Sequence, residues 1–331
     1  MKITIKDIAK KANVSTATVS KILNNKDERI SKGTRERVLI IAKENNYIPN
    51  LMARSLVTRK TNTIGLVLPD ITNPFFPELA RGAEDKANKE GYMIMYCNTD
   101  DDAEKESIYL EMLAQKMVDG IILTQSANKE GNIESLNKLK IPLVLIDRDI
   151  NVKNIKGKVL VDNFLGAYEA VDYLIKKGYK KIAYITGPLS TTTAIERLGG
   201  YTKALEDAGM LINLELIFEG EYKAQWGIDG TNELLSSKVE FDAIFCGNDL
   251  IAVNAIRTLK EKGIRVPNDV GVLGYDNIFL SDMIDPPLTT VNQPAYEMGY
   301  EAVKLLIDVL DNNKEGKTIK LKTNLIIRKS V

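Results

Sequence analysis

From Thr63 onward, short continuous apolar runs recur with helix-length segments between most of them: Ile64–Leu68, Met93–Cys97, Gly120–Leu123, Leu143–Ile146, Ile182–Ile185, Ala243–Cys246 and Val270–Leu273. Such runs are too short for helices and lack the alternation of a half-exposed strand. They read as strands buried on both faces, which calls for parallel sheets covered by helices on either side. A body of about 270 residues exceeds one compact core, so two doubly wound parallel-sheet subdomains are expected.

The first 60 residues are patterned differently. Thr4 is placed to cap a helix, with Asp7 three residues on as its capping-box acid. Ile5, Ile8, Ala9 and Ala12 then share one helical face, and Asn13 can take the left-handed conformation that ends it. Ser15 caps a second helix through Val19, Ile22 and Leu23, and Ser31 a third whose core face is Val38, Ile41 and Ala42. Two short helices split by a tight turn make a helix-turn-helix, whose second helix can enter the major groove of DNA.

Charge agrees with this division. Residues 1–60 carry nine Lys and five Arg against two Asp and three Glu, a net +9 in a chain whose total is zero, so the body carries −9. A basic head on an acidic body points to a polyanion partner for the head alone. With no histidine anywhere, Ser-His-Asp chemistry and most zinc sites are excluded. Cys97 and Cys246, the only cysteines, read as reduced core residues. No apolar run reaches membrane-spanning length and the N-terminus lacks a signal-peptide core, so a cytoplasmic protein is expected.

Three strings in the head are specific: Ile5-Lys6-Asp7-Ile8-Ala9; Val14-Ser15-x-x-Thr18-Val19-Ser20-x-x-Leu23-Asn24; and Tyr47-x-Pro49-Asn50-x-x-Ala53-Arg54-Ser55-Leu56. Together they resemble the lactose/galactose repressor family. The resemblance implies an all-α helix-turn-helix head joined to an α/β periplasmic-binding-protein-like body. In the body, the segments Pro69–Gly82, Ile185–Leu189 and Gln293–Gly299 are similar to the ribose-operon repressor branch.

By that resemblance, DNA contacts would come from Thr4, Ser15, Thr16, Ala17, Thr18, Ser20, Lys21 and Asn24, with Thr16, Ala17 and Lys21 facing base edges. Lys21 stands where the family usually has arginine, whose two-pronged grip on guanine lysine cannot reproduce. Asn50 to Leu56 matches the family's hinge helix, too short to persist alone, that would order on operator DNA beside a second subunit's hinge. There Asn50, Ala53 and Arg54 would meet DNA, and Leu56 would wedge between base steps in the minor groove. The resemblance also implies a DNA-binding domain over residues 1–60 and a sensor over 61–331. The sensor's N-subdomain would hold about 61–160 and 291–321, its C-subdomain about 161–290 and 322–331. A homodimer is expected, without a heptad tail to pair dimers further.

A sugar offers hydroxyls and flat C–H faces, so its binder needs planar polar side chains and aromatic rings, at the carboxyl ends of strands in an open α/β sheet. Asn73, Phe75 and Phe76, then Asp147 and Arg148, then Asn248, then Asp276 all come after expected strands; Arg197, Trp226 and Gln293 complete the set. By resemblance, Asn73, Asp147, Arg148, Arg197, Asn248, Asp276 and Gln293 would bond hydroxyls, and Phe75, Phe76 and Trp226 would pack on ring faces. The expected function is a transcriptional repressor of sugar-utilisation genes answering to a small-molecule effector, ribose foremost, with no cofactor and no metal. Alternatives are a carbon-catabolite regulator with a phosphorylated carrier-protein co-repressor, and a purine-sensing repressor. A glycosidase built on Asp147, Asp276 and Arg197 lacks a nucleophile motif, a phosphate loop and a metal cluster.

Overall fold

The computed structural model describes residues 3–24, 27–47, 60–127, 132–153, 155–312 and 316–331, in two compact units divided between Thr61 and Asn62. The first unit is three helices, α1 (Ile5–Ala12), α2 (Thr16–Leu23) and α3 (Lys32–Glu44). Thr4 Oγ1 accepts from the Asp7 amide while Asp7 Oδ2 accepts from the Thr4 amide at 2.9 Å, completing the capping box. Asn13 closes α1 at φ 52°, and the Ser15 and Ser31 hydroxyls cap α2 and α3. Ile8, Ala9, Ala12, Val19, Ile22 and Val38 form the core. So small a core leans on its caps, each contributing about 1 kcal/mol, and on Arg37 Nε, which donates to the Ala12 carbonyl at 3.1 Å.

The second unit alternates strands and helices from β1 (Thr63–Leu68) and α4 (Phe75–Lys89) onward: β2 (Met93–Asn98), α5 (Ala103–Gln115), β3 (Gly120–Leu123), α6 (Asn132–Lys138), β4 (Leu143–Ile146), β5 (Ile155–Val161) and α7 (Asn163–Lys176). Next come β6 (Ile182–Thr186), α8 (Thr192–Asp207), β7 (Ile217–Glu219), α9 (Ala224–Ser237), β8 (Ala243–Cys246), α10 (Asp249–Glu261), β9 (Gly271–Asp276) and α11 (Leu280–Met283). The last elements are β10 (Thr289–Asn292), α12 (Ala295–Asn312), β11 (Thr318–Leu321) and β12 (Asn324–Ile326).

These strands form two sheets, ordered β11-β5-β4-β3-β1-β2 and β12-β10-β9-β8-β6-β7. Every pairing is parallel except β10 with β12. The chain therefore passes between sheets after Val161, after Asn292 and after Leu321. Each sheet is covered on both faces. In the first, Leu66, Val144 and Ile122 pack with Leu79 of α4 and Met298 and Leu306 of α12, while Val67, Ile121 and Leu145 pack with Leu110 and Leu113 of α5. In the second, Tyr184 and Phe245 pack with Ala170 of α7 and Tyr201 of α8, while Ile185, Ile244 and Val272 pack with Leu234 of α9 and Ile256 of α10. Helices α4 and α12 cross so closely that a Cβ on Gly299 would sit 1.9 Å from the Leu79 carbonyl oxygen.

All seven apolar runs are strands. Five more escape the apolar-run criterion: β5 and β11 alternate at one edge of their sheet, β7 and β12 are three residues each, and β10 buries two threonines. Among the described residues no helix is long and apolar enough to cross a membrane.

Candidate functional site

In the head, α2 buries Val19 and Ile22 and turns Thr16, Ala17 and Lys21 to solvent. That exposed stripe can meet base edges. Thr4, Ser15, Thr18, Ser20 and Asn24 are engaged locally: Thr4 and Ser15 cap, Thr18 Oγ1 lies 2.9 Å from Ser15 Oγ, and Asn24 Nδ2 donates to the Ser20 carbonyl at 2.7 Å. These side chains shape the helix ends. Asn50, Ala53, Arg54 and Leu56 lie outside the described residues.

In the body, the carboxyl ends of the strands converge on one cavity. It is lined by Asn73, Phe75 and Phe76 after β1, by Asp147 and Arg148 after β4, by Thr193 and Arg197 of α8, by Tyr222 after β7, by Asn248 after β8, by Asp276 ending β9, and by Gln293 after β10. Backbone geometry aims several of these. Asn73 Oδ1 accepts from the Phe75 amide at 3.1 Å, starting α4 so that the Phe75 and Phe76 rings meet edge to face at 5.1 Å. Asp147 and Asp276 take φ of 68° and 119°, left-handed conformations that L-residues hold only under constraint.

The two guanidinium groups are anchored from behind. Arg148 Nη1 donates to Asp101 Oδ1 at 2.6 Å and to the Gln125 carbonyl at 2.7 Å. Arg197 Nε donates to Asn163 Oδ1 at 2.9 Å and Nη1 to the Gly247 carbonyl at 2.6 Å, with the Tyr275 ring 3.7 Å from its guanidinium carbon. Burial opposes the charge on Arg197, but Tyr222, Tyr275, Asp276 and Asp147 outweigh it and hold its pKa above the usual value. Burial pushes the Asp147 carboxyl up against the pull of Arg148 and Arg197, and pushes Asp276 well above the carboxylate range. Asp276 Oδ1 accepts from Gln293 Nε2 at 2.6 Å, leaving Gln293 Oε1, Arg148 Nε and the Tyr222 hydroxyl without partners among the described residues. Buried polar atoms left unpaired in a cavity are where a ligand's own donors and acceptors belong. No cluster able to hold a metal occurs among the described residues.

Nine of the ten side chains expected from sequence line this cavity, and Trp226 does not. Its indole Nε1 donates to the Thr186 carbonyl at 2.9 Å and its ring lies over Gly220, so it belongs to the packing between α9 and β6. The ring in the lining is Tyr222, four residues earlier, lodged against Gly187, where a Cβ would approach it to 2.3 Å. Thr193 also lines the cavity, from the first turn of α8, where no strand end marks it in the sequence. The rule that ligand groups sit after strand ends finds Tyr222 only once the short strand β7 is recognised.

Residues 61–329 match the family model described as periplasmic binding proteins and sugar binding domain of LacI family, and residues 4–50 match bacterial regulatory proteins, lacI family. The HTH-type transcriptional regulator RegA of Clostridium acetobutylicum is 43% identical over 314 residues, covering 94% of this chain and 93% of that one. The HTH-type transcriptional repressor PurR of Haemophilus influenzae is 40% identical over 334 residues, covering 99% and 98%. Among solved structures, the lac repressor dimer bound to operator and the anti-inducer ONPF superposes with a TM-score of 0.87 at 25% identity, covering 100% of this chain and 99% of that one. A LacI family transcriptional regulator from Enterococcus faecium with bound ribose gives 0.73 at 32% identity, covering 81% and 98%.

Proposed function

The chain belongs to the lacI family of bacterial regulatory proteins and is a DNA-binding transcriptional regulator, and from that premise we propose a homodimeric, non-catalytic repressor of sugar-utilisation genes whose effector is a monosaccharide, D-ribose. The observation that carries the reading is the cavity's buried set of two carboxyls and two guanidinium groups beside Phe75, Phe76 and Tyr222. The guanidinium groups donate and the carboxyls can accept, so the lining offers both kinds of partner that a hydroxylated ligand needs. Charge-assisted bonds to hydroxyls contribute about 1.5–3 kcal/mol each, and the rings cover C–H faces.

The two sheets supply opposite walls of the cavity, so a bound sugar would close them on each other, and effector and operator affinity would be linked reciprocally. Support for the dimer comes from edge strand β2, which exposes Met93, Met95 and Tyr96, and from α5, which exposes Ile108 and Met112. An apolar edge of this kind asks for cover, and the lac repressor structure similar to this chain is a dimer.

A purine base is the second reading, because the relative named PurR is 40% identical over nearly the whole chain and the lining pairs aromatic rings with carboxyl and guanidinium groups. Calorimetric titration of the full-length protein decides between them. D-ribose should give saturable heat below millimolar concentration, with guanine and hypoxanthine silent. Heat from a purine and none from ribose overturns the sugar reading.

A further inference from the structure

Asp249 is the chain neighbour of the cavity residue Asn248, yet its own carboxylate points away from the cavity and is wholly buried. It lies against the backbone of β9, so close that a Cβ on Gly274 would sit 2.1 Å from Asp249 Oδ1. Two separate segments donate to it. Thr290 Oγ1 of β10 reaches Oδ1 at 2.6 Å; Ser281 Oγ of α11 and the Ile278 amide reach Oδ2 at 2.5 and 3.0 Å. Among the described residues no lysine or arginine makes an ion pair with it, so its charge is balanced by neutral donors alone.

The segment gathered by this carboxylate begins at the cavity. Asp276 and Asn277 have φ of 119° and 60°, a pair of left-handed non-glycine residues that persists only where neighbours over-determine it. Next to them is the Ile278 amide that Asp249 holds. A carboxylate has acceptor capacity for all three donors, whereas an amide of the same shape would set N–H groups against some of them. A buried charge without a cation is costly to keep where only packing is required.

We propose that Asp249 is a positioning residue of the effector site: by drawing the 277–281 segment and β10 onto one carboxylate, it fixes the direction in which the Asp276 carboxyl meets the ligand. This rests on the cavity being the effector site. The same clamp ties the cavity to α11, where Phe279 and Met283 are exposed, giving ligand contact at Asp276 a mechanical route to the surface. Burial lifts the Asp249 carboxyl to about 6, so its ionised form is lost as pH falls through that value. The other titratable and charged groups around the clamp are Asp276 of β9, Cys246 of β8, Asp282 of α11 and Arg328, which bonds Asn277 Oδ1.

The test uses the full-length protein and Asp249→Asn in two arms. The first is amide hydrogen exchange without ligand. Peptides covering 276–281 should exchange at least ten-fold faster in the variant at pH 7.5 while β6 is unchanged. The second is calorimetry with D-ribose, which should bind the variant at least ten-fold more weakly at pH 7.5, with pH dependence between 7.5 and 5 reduced in the variant. Unchanged exchange overturns the proposal, as does faster exchange with unchanged ribose affinity. If wild type takes no ribose, the effector reading fails separately and the exchange arm decides the clamp. If Asp249→Asn does not fold, Thr290→Val removes one donor and should show both effects at smaller amplitude; its behaving as wild type in both arms overturns the proposal.

Discussion

Gln293 Nε2 donates to Asp276 Oδ1 at 2.6 Å, joining the last residue of β9 to the first step of the passage that leaves β10 for α12. Asp276 faces the cavity at the end of one sheet; Gln293 begins the segment that returns the chain to the other sheet. A ligand bonded to Asp276 therefore acts on a residue already coupled to a crossover. Asp276→Ala should weaken D-ribose binding at least ten-fold in calorimetry, because it removes a buried hydrogen-bonding group and leaves Gln293 Nε2 unpaired. Gln293→Ala should lose less, since it spares the carboxyl, but should diminish the change in operator affinity that ribose produces. A Gln293→Ala protein whose ribose-dependent operator response matches wild type would show that the bond carries no coupling.

Arg197 is held by Asn163, Gly247 and the face of Tyr275, and each contact uses the planar, forked guanidinium. Lysine offers a point charge that cannot make all three. Arg197→Lys should therefore behave much as Arg197→Ala, losing ribose binding ten-fold or more and destabilising the body by roughly 2–3 kcal/mol as buried acceptors lose their donors. Urea unfolding with calorimetry checks both. Near-wild-type binding in Arg197→Lys would show that charge alone suffices there.

The sequence made the buried strands legible because full burial on two faces leaves a contiguous apolar run, as in Leu143–Ile146. It hid β7, three residues at a sheet edge, and with it Tyr222, whose loop then had no strand end to mark it. Trp226 misled for the same reason: a lone tryptophan in the right stretch of chain looks like a ligand ring, and only the Thr186 carbonyl shows where its indole N–H is engaged. Asp249 was visible only as the neighbour of Asn248. Its donors at Ile278, Ser281 and Thr290 lie 29 to 41 residues away, a convergence that no local pattern encodes.

The Asp249 carboxyl also predicts how stability should vary with pH. Its folded pKa of about 6 lies above the unfolded value of 3.8, so the folded state holds the proton more tightly. The stabilisation from this group is fully present below pH 3.8 and is lost as pH rises through 6. At neutral pH the ionised carboxylate thus costs roughly 3 kcal/mol relative to its protonated form. Other buried carboxyls, Asp147 and Asp276 among them, shift in the same direction, so the clean quantity is a difference between proteins. Wild type should gain about 1–1.5 kcal/mol over Asp249→Asn as pH falls from 7.5 to 5 in paired urea unfolding experiments. A difference that stays flat, or that favours the variant at pH 5, would place the Asp249 pKa near its ordinary value.

Lys21 is exposed on the outward stripe of α2, beside Thr16 and Ala17 and opposite the buried Val19 and Ile22. A lysine there can serve a phosphate or a base edge, and the two roles separate experimentally. A phosphate contact weakens binding uniformly over operator sequences and lowers the salt slope by about one when removed; a base contact costs about 1–3 kcal/mol and relaxes preference at one position. Because Lys21 shares its face with the residues best placed to reach the groove, the base-edge outcome is expected. Lys21→Ala should flatten preference at one symmetric pair of operator positions in a competition binding assay across operator variants. Ser15→Ala serves as the control: loss of the α2 cap should lower head stability by about 1 kcal/mol and leave base preference unchanged. A uniform loss across all operators in Lys21→Ala, with the salt slope reduced, would assign Lys21 to the phosphate backbone instead.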